Sequence, residues 1–284
     1  MNFILKILKS RPSAVQTKRM KTLRRKTVWI TGASSGIGEA LAYEFAREGA
    51  KLVLSARRAD ELQRVKQATG LPDADVLVLP LDLTETASLP VAVETVLKTF
   101  GAVDVLVQNA GISQRALIHE TTLDVDRRIF EVNYFGVVAL TKAVLPAMRA
   151  RRSGHFVVIS SVTGYVATPL RSAYAASKHA VRAFFDALRA ENHDLGLRVT
   201  VACPGYVRTE VSRNALHGDG SRHGRMDQNQ ERGMSPEECA RHIARAVKAG
   251  KLEVYPGGKE VFGIYLKRWL PGLVARLVRG YNEE

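Results

Sequence analysis

A run of β-formers, Thr27-Val28-Trp29-Ile30-Thr31, passes without a linker into Gly32-Ala33-Ser34-Ser35-Gly36-Ile37-Gly38 and then into a helical pattern. This junction constrains the chain more than any other feature. Glycines leave a bare backbone, and the following helix points its unpaired N–H groups and the positive end of its dipole at the turn. Such a corner suits a pyrophosphate, whose close approach a Cβ would block. The turn departs from G-x-G-x-x-G and lacks the Lys-Ser/Thr ending of a Walker A loop, so it disfavours nucleoside-triphosphate chemistry.

The same alternation recurs along the chain. Short, nearly continuous apolar runs at 27–31, 51–56, 76–79, 103–108, 155–160 and 198–203 read as strands buried on both faces. Residues 37–48, 59–69, 88–100, 123–149 and 174–195 carry helical patterns between them. Ser235-Pro236-Glu237-Glu238 supplies an N-cap, a preset φ and first-turn acids for a late helix, and 252–255 reads as a last strand. Strand and helix in steady alternation predict an α/β fold of three layers, a doubly wound and mostly parallel seven-stranded sheet with helices on both faces. With 284 residues and 46% hydrophobic content, one core suffices. The expected organisation is a basic leader over 1–26, a dinucleotide-binding unit over 27–256 and an amphipathic segment over 257–284. The long irregular stretch at 207–233 is the natural place for a functional loop.

The formal charge of +14 raises the possibility of nucleic acid or an anionic membrane as partner. Residues 1–26 alone hold nine Lys or Arg and no acid, which leaves the remainder only moderately basic. No nucleic-acid recognition motif accompanies the excess, so no nucleic-acid partner is expected. Two cysteines, Cys203 and Cys239, cannot build a disulfide framework and read as buried thiols of a reducing compartment. The opening apolar residues are too short a run, and too interrupted by lysine, for a secretory core. A cytoplasmic protein is therefore expected, with peripheral attachment to a membrane surface left open.

Tyr174-Ala175-Ala176-Ser177-Lys178 places a phenol and an ammonium four residues apart, on one face of a helix. A cation near a phenol stabilises the phenolate and lowers its pKa, which suits the tyrosine for proton transfer. Taken with the turn Thr31-Gly32-Ala33-Ser34-Ser35-Gly36-Ile37-Gly38, a T-G-x-x-x-G-x-G pattern, the chain resembles the single-domain short-chain dehydrogenase/reductases, a Rossmann-fold family, over about residues 27–255. Further matches occur in order. Asp82, followed by Leu83, resembles the family's adenine-contacting acid, and Asn109-Ala110-Gly111 resembles its N-A-G element. Pro204-Gly205 with Val207 and Thr209 resembles the P-G-x-V-x-T segment that holds the nicotinamide carboxamide. Gln108 stands where the family commonly has a first Asn; the second position carries the backbone role.

The resemblance implies a dinucleotide lying along Gly32, Ser34, Ser35, Gly36, Ile37 and Gly38. At the end of the second strand, NAD-preferring members carry an acid, whereas this chain reads Ser55-Ala56-Arg57-Arg58. Guanidinium groups suit a 2′-phosphate, so NADP(H) is favoured over NAD(H). A solvated turn would carry the same arginines, Arg58 above all, and that reading stays open. Ser161 closes the fifth strand 13 residues before Tyr174, the separation the resemblance requires of its active-site serine; Ser160 is the competing candidate. Asn133 matches an asparagine that holds a water linking the lysine to solvent. The implied catalytic set is Asn133, Ser161, Tyr174 and Lys178: hydride passes between nicotinamide and a carbonyl or alcohol carbon, Tyr174 moves the proton, and Lys178 also holds the nicotinamide ribose.

The expected partner is thus a small carbonyl or alcohol substrate, with a homodimer or homotetramer implied by the resemblance. Arg208, Arg213, Arg222, Arg225, Arg232, His217 and His223 make 207–233 a basic lid, suited to an anionic head or simply solvated. Its histidines lack metal-ligand spacing, and no metal is expected. From residue 261, apolar residues alternate with cations, as in an interfacial segment, which Phe3-Ile4-Leu5-Ile7-Leu8 could assist. Such a tail could equally pack on the domain or a partner subunit. Membrane contact would point to a lipophilic substrate. The competing reading is a catalytically silent NADP(H)-binding sensor or scaffold, which need not keep the four-residue set.

Overall fold

The computed structural model describes residues 22–280. Seven strands, β1 (Thr27–Thr31), β2 (Lys51–Ser55), β3 (Val76–Val78), β4 (Val105–Gln108), β5 (Gly154–Ile159), β6 (Leu197–Ala202) and β7 (Glu253–Val254), form one sheet in the order 3-2-1-4-5-6-7. Every pairing is parallel, so the sheet is wholly rather than mostly so. Parallel neighbours need crossovers, and these are helices: α1 (Gly36–Arg47), α2 (Ala59–Ala68), α3 (Leu89–Phe100), α4 (Leu123–Phe130), α5 (Gly136–Ala150) and α6 (Ser172–Glu191). A short α7 (Gln228–Glu231) lies in the long loop, and α8 (Pro236–Ala249) leads to β7. Ser235 caps α8 by accepting from the Glu238 N–H at 3.1 Å. Two last helices, α9 (Phe262–Trp269) and α10 (Pro271–Arg279), follow. Most of the basic leader, residues 1–21, lies outside the described residues, as do 281–284.

The period of two along each strand sorts the core into two layers. Val28, Ile30, Leu52, Leu54, Val105 and Val107 face α1, α2 and α8, where they meet Leu41, Phe45, Leu62 and Ile243. Trp29, Val53, Leu106, Phe156 and Val158 face α3, α5 and α6, where they meet Val96, Leu140, Val144 and Phe185. Both strand faces being apolar is why the strands read as unbroken hydrophobic runs. Cys203 and Cys239 are both buried here, and burial pushes each thiol up to about 12, as expected of packing residues.

The expected single helix over 123–149 is instead α4, a π-helical turn over Glu131–Phe135, and α5. By length and hydropathy alone, Leu123–Ala150 could cross a bilayer. Its apolar residues Val137, Leu140, Val144 and Met148 are buried against the sheet and its flanking helices, which marks a core helix.

Candidate active site

The order of the sheet reverses between β1 and β4, the place where open α/β sheets bind their ligands. Here the two strand ends are stitched together. The Asn109 N–H donates to Thr31 Oγ1 at 3.0 Å, and Asn109 Nδ2 donates to the Thr31 and Gly32 carbonyls, each at 3.1 Å. Gly32 takes φ +65°, and a Cβ on it would come within 2.9 Å of Ala110 Cα. The glycine turn is therefore held open over the start of α1. Gln108 uses its amide on the Val137 carbonyl at 3.1 Å and Thr141 Oγ1 at 3.2 Å, tying β4 to α5.

A cleft of about 450 Å³ runs across this point, within the range of cofactor sites. Gly32, Ser34, Ser35, Gly36, Ile37, Arg57, Arg58, Asp82, Leu83, Asn109, Ala110, Gly111, Pro204, Gly205, Val207 and Thr209 all border it, with Ser161, Tyr174 and Lys178 at its far end. Gly38 does not. A Cβ there would stand 2.2 Å from the Gly32 carbonyl oxygen, so this glycine lets α1 pack under the turn rather than touch a ligand. Arg58 Nη2 donates to Ser34 Oγ at 3.3 Å, which brings a guanidinium over the glycine turn. Asp82 accepts from Thr84 N–H at 2.9 Å and Thr84 Oγ1 at 2.8 Å, fixing its carboxylate at the rim. A bare turn at a helix N-terminus, with an arginine above it and an acid beyond, fits a dinucleotide.

Asn133 lies within the π turn and is buried. Its Oδ1 accepts from the Ile112 N–H at 2.8 Å, while Nδ2 donates to the Ile112 carbonyl at 2.9 Å and Ser177 Oγ at 3.0 Å. Ser177 Oγ in turn donates to the Tyr174 carbonyl at 2.8 Å. The amide thus locks the loop after β4 to α6, the helix that carries Tyr174 and Lys178. Lys178 Nζ donates to the Ile159 carbonyl at 2.8 Å and sits 5.7 Å from the centre of the Tyr174 ring. Ser160 is spent elsewhere, donating to the Lys178 carbonyl at 3.0 Å. Ser161 Oγ instead accepts from the Thr163 N–H at 3.1 Å and borders the same cleft as Tyr174.

Burial is the largest influence on both titrating groups. It lowers the Lys178 ammonium to about 8 and pushes the Tyr174 phenol above its usual range. Contrary to the four-residue expectation, Lys178 is not among the groups that lower Tyr174. The groups that do pull it down are Arg171, Ser161 and Arg115.

Those arginines were not singled out in the sequence. Arg115 follows the N-A-G element and Arg171 precedes Tyr174 by three residues; both line a second cavity of about 190 Å³ beside the cleft. Asp227, from the loop after β6, receives Arg115 Nε at 2.9 Å and also Arg115 Nη2, with Arg171 Nη2 at 3.5 Å and His223 Nε2 at 3.3 Å. Burial holds His223 below its ordinary value, so it meets Asp227 as a neutral ring. Leu170 adopts φ +64°, a strained conformation for a leucine, and its carbonyl accepts from the Ala116 N–H at 3.1 Å, which aims Arg171 inward. The loop is further pinned by reciprocal bonds between Leu216 and residues 113 and 115. Arg208, Arg213, Arg225 and Arg232 are exposed and border neither cavity; of the lid arginines only Arg222 reaches the cleft.

The fold, the glycine turn and the Ser-Tyr-Lys geometry together define a nicotinamide-dependent oxidoreductase of the Rossmann type. The short chain dehydrogenase model matches residues 26–219, and the chain belongs to the short-chain dehydrogenase/reductase family. It is 46% identical over 253 residues to the Drosophila melanogaster dehydrogenase/reductase SDR family protein 7-like, covering 87% of this chain and 78% of that one. It is 45% identical over 272 residues to the Bos taurus dehydrogenase/reductase SDR family member 7B, covering 93% and 84%. A short-chain dehydrogenase structure from Streptomyces avermitilis superposes with a TM-score of 0.78 at 32% identity, covering 91% of this chain and 98% of that one.

Proposed function

We propose that this protein is an NADP(H)-dependent carbonyl reductase or alcohol dehydrogenase for a lipophilic substrate, with Asn133, Ser161, Tyr174 and Lys178 as its working set. One observation carries the reading: Tyr174 and Ser161 stand in the wall shared by the long cleft and the smaller cavity, where cofactor and substrate would meet. Val162, Val166, Val211 and Tyr206 give the smaller cavity apolar surface for a carbon skeleton. Arg58 above the glycine turn, with Arg57 beside it, supports a 2′-phosphate and hence NADP(H). The preference for NADP(H) in turn favours reduction as the working direction.

When bound, the nicotinamide supplies or accepts the hydride. The protein handles the proton. Ser161 orients the carbonyl oxygen, and Tyr174 Oη gives it a proton as it gains charge. A phenol held above its ordinary pKa is fully protonated at neutral pH and is ready to donate. Lys178, held against the Ile159 carbonyl, offers its other ammonium protons to the ribose hydroxyls and to the tyrosine. Asn133 keeps the loop after β4 and helix α6 in register, so the donor and the oxygen do not drift apart.

The test is titration with NADPH and NADH by fluorescence, followed by turnover of a panel of lipophilic aldehydes and ketones with Tyr174→Phe as control. Turnover should fall by about 10²- to 10⁴-fold in the variant with NADPH affinity unchanged. Tight NADPH binding without any turnover by the native chain would indicate a silent sensor. Failure to bind either dinucleotide would remove the reading altogether.

A further inference from the structure

Helices α9 and α10 are amphipathic in the reverse sense from the rest of the molecule. Ile264 and Val274 are buried, with Leu266 and Val278 half-buried beside them. Phe262, Tyr265, Trp269, Leu270, Leu273 and Leu277 face solvent, with Trp269 80% and Phe262 71% exposed. Positions 262, 265 and 269 share one face of α9, and 273 and 277 share one face of α10, so the exposed apolar residues form stripes. Contiguous surface of this kind marks a docking site. Lys267, Arg268, Arg276 and Arg279 flank the stripes, and 261–280 contains no Asp or Glu. Lys267 Nζ also donates to the Tyr165 carbonyl at 2.8 Å, which fixes α9 to the body of the enzyme.

We propose that α9 and α10 form a membrane-docking surface that seats this protein on an anionic lipid bilayer. Charge selects the occupant. A second copy meeting face to face would bring the same four cations together, and the chain's own residues 1–21 add six Lys or Arg and no acid. Anionic headgroups complement both the cations and the intervening aromatic and aliphatic side chains, whose apolar parts enter the acyl boundary. The surface also adjoins the proposed substrate site, because Gly263 of α9 and Glu260 just before it line the smaller cavity. Docking through α9 would therefore set that cavity near the lipid. The docking surface itself stands whether or not the proposed reaction is correct.

The experiment is co-sedimentation of the full chain with phosphatidylcholine vesicles carrying roughly 30% phosphatidylserine. It is run beside pure phosphatidylcholine vesicles and the double variant Trp269→Asp/Leu273→Asp. Both substituted residues are exposed, so the variant keeps its core, and retained NADPH binding checks the fold separately. The native chain should pellet with the anionic vesicles, at least tenfold more weakly with neutral ones or at ~1 M salt, where screening is nearly complete. The variant should lose at least tenfold in partitioning. A native chain that stays in solution, or a variant that binds as well as the native chain, overturns the proposal. So does a native dimer that the double variant converts to monomer, since the face would then belong to a second copy.

Discussion

Asp227 is the group whose removal should disturb this protein most for its size. Its side chain is 4% exposed and is held by Arg115 and Arg171, themselves 3% and 7% exposed. Substituting Asp227→Asn preserves the volume but leaves two buried guanidiniums without their carboxylate. Breaking a buried pair from one side costs about 3–5 kcal/mol, most of it the uncompensated charge left behind, and at this depth solvent gives little screening. In a chain of this length ~1 kcal/mol moves the melting temperature by roughly 2–4 °C, so the variant should melt about 6–20 °C lower. The assay is urea unfolding followed by the fluorescence of buried Trp29, with hydrogen exchange over the loop after β6 as a second readout. A double-mutant cycle with Arg115→Met isolates the pair and should give a coupling of at least ~2 kcal/mol. If Asp227→Asn shifts stability by less than ~1 kcal/mol and leaves exchange in 207–233 unchanged, the ion pair is not what holds the loop over Tyr174.

Arg58→Ala should weaken NADPH by about 10- to 100-fold and NADH by far less, as removal of a charge-assisted contact to a phosphate would; equal losses for both dinucleotides contradict the 2′-phosphate assignment. Asn133→Ala should lower kcat by at least ~10-fold while leaving the NADPH dissociation constant within about threefold, because it loosens α6 against the loop after β4 rather than the cleft wall; stopped-flow turnover with parallel cofactor titration separates the two. His155 predicts an acid limb in stability. Thr200 Oγ1 spends its proton on the Lys251 carbonyl at 2.6 Å, so His155 Nε2–H donates to Thr200 at 2.8 Å and Nδ1 is left buried without a partner. Burial, with Arg198 second, lowers this imidazole to about 3 from an ordinary 6.5. The unfolded chain alone then takes up the proton between those values, and stability falls as pH drops below 6.5, by about 3 kcal/mol at pH 4.5. Unfolding free energies from urea titration at pH 7 and 4.5 should differ by that much more in the native chain than in His155→Asn.

Much of this architecture was legible because its signals are local. Strand positions followed from apolar runs, and each observed strand begins or ends within two residues of its expected bounds, because strands covered on both faces admit almost no polar residue. The glycine turn was legible for a steric reason that the structure repeats at Gly32 and Gly38. Tyr174 and Lys178 sit on one helix, so four-residue spacing sufficed to bring them together. The π turn at Glu131–Phe135 was not legible. One inserted residue shifts the apolar phase by only about one helical position, and the aromatic side chains of Tyr134 and Phe135 mask the slip. That insertion is what turns Asn133 onto Ile112 and Ser177, so the residue was found by its identity while its geometry was missed.

The loop after β6 shows what composition could not decide. Five arginines in 207–233 read either as a basic lid or as a solvated loop; all five are exposed and of them Arg222 alone borders the cleft, while the cations that line the cavity beside Tyr174, Arg115 and Arg171, come from outside the loop. What the loop contributes inward is an acid, Asp227, 112 residues from Arg115 along the chain. A charge pair at that separation leaves no periodicity and no motif, and each member read alone looks like an ordinary solvated residue. Its effect on chemistry follows from position. Burial holds the Tyr174 phenol above its ordinary range, and the two arginines that pull it down, Arg171 and Arg115, are the ones Asp227 pairs with. A substitution that frees those arginines from Asp227 should lower the phenol's pKa and shift the enzyme toward the phenolate needed for alcohol oxidation.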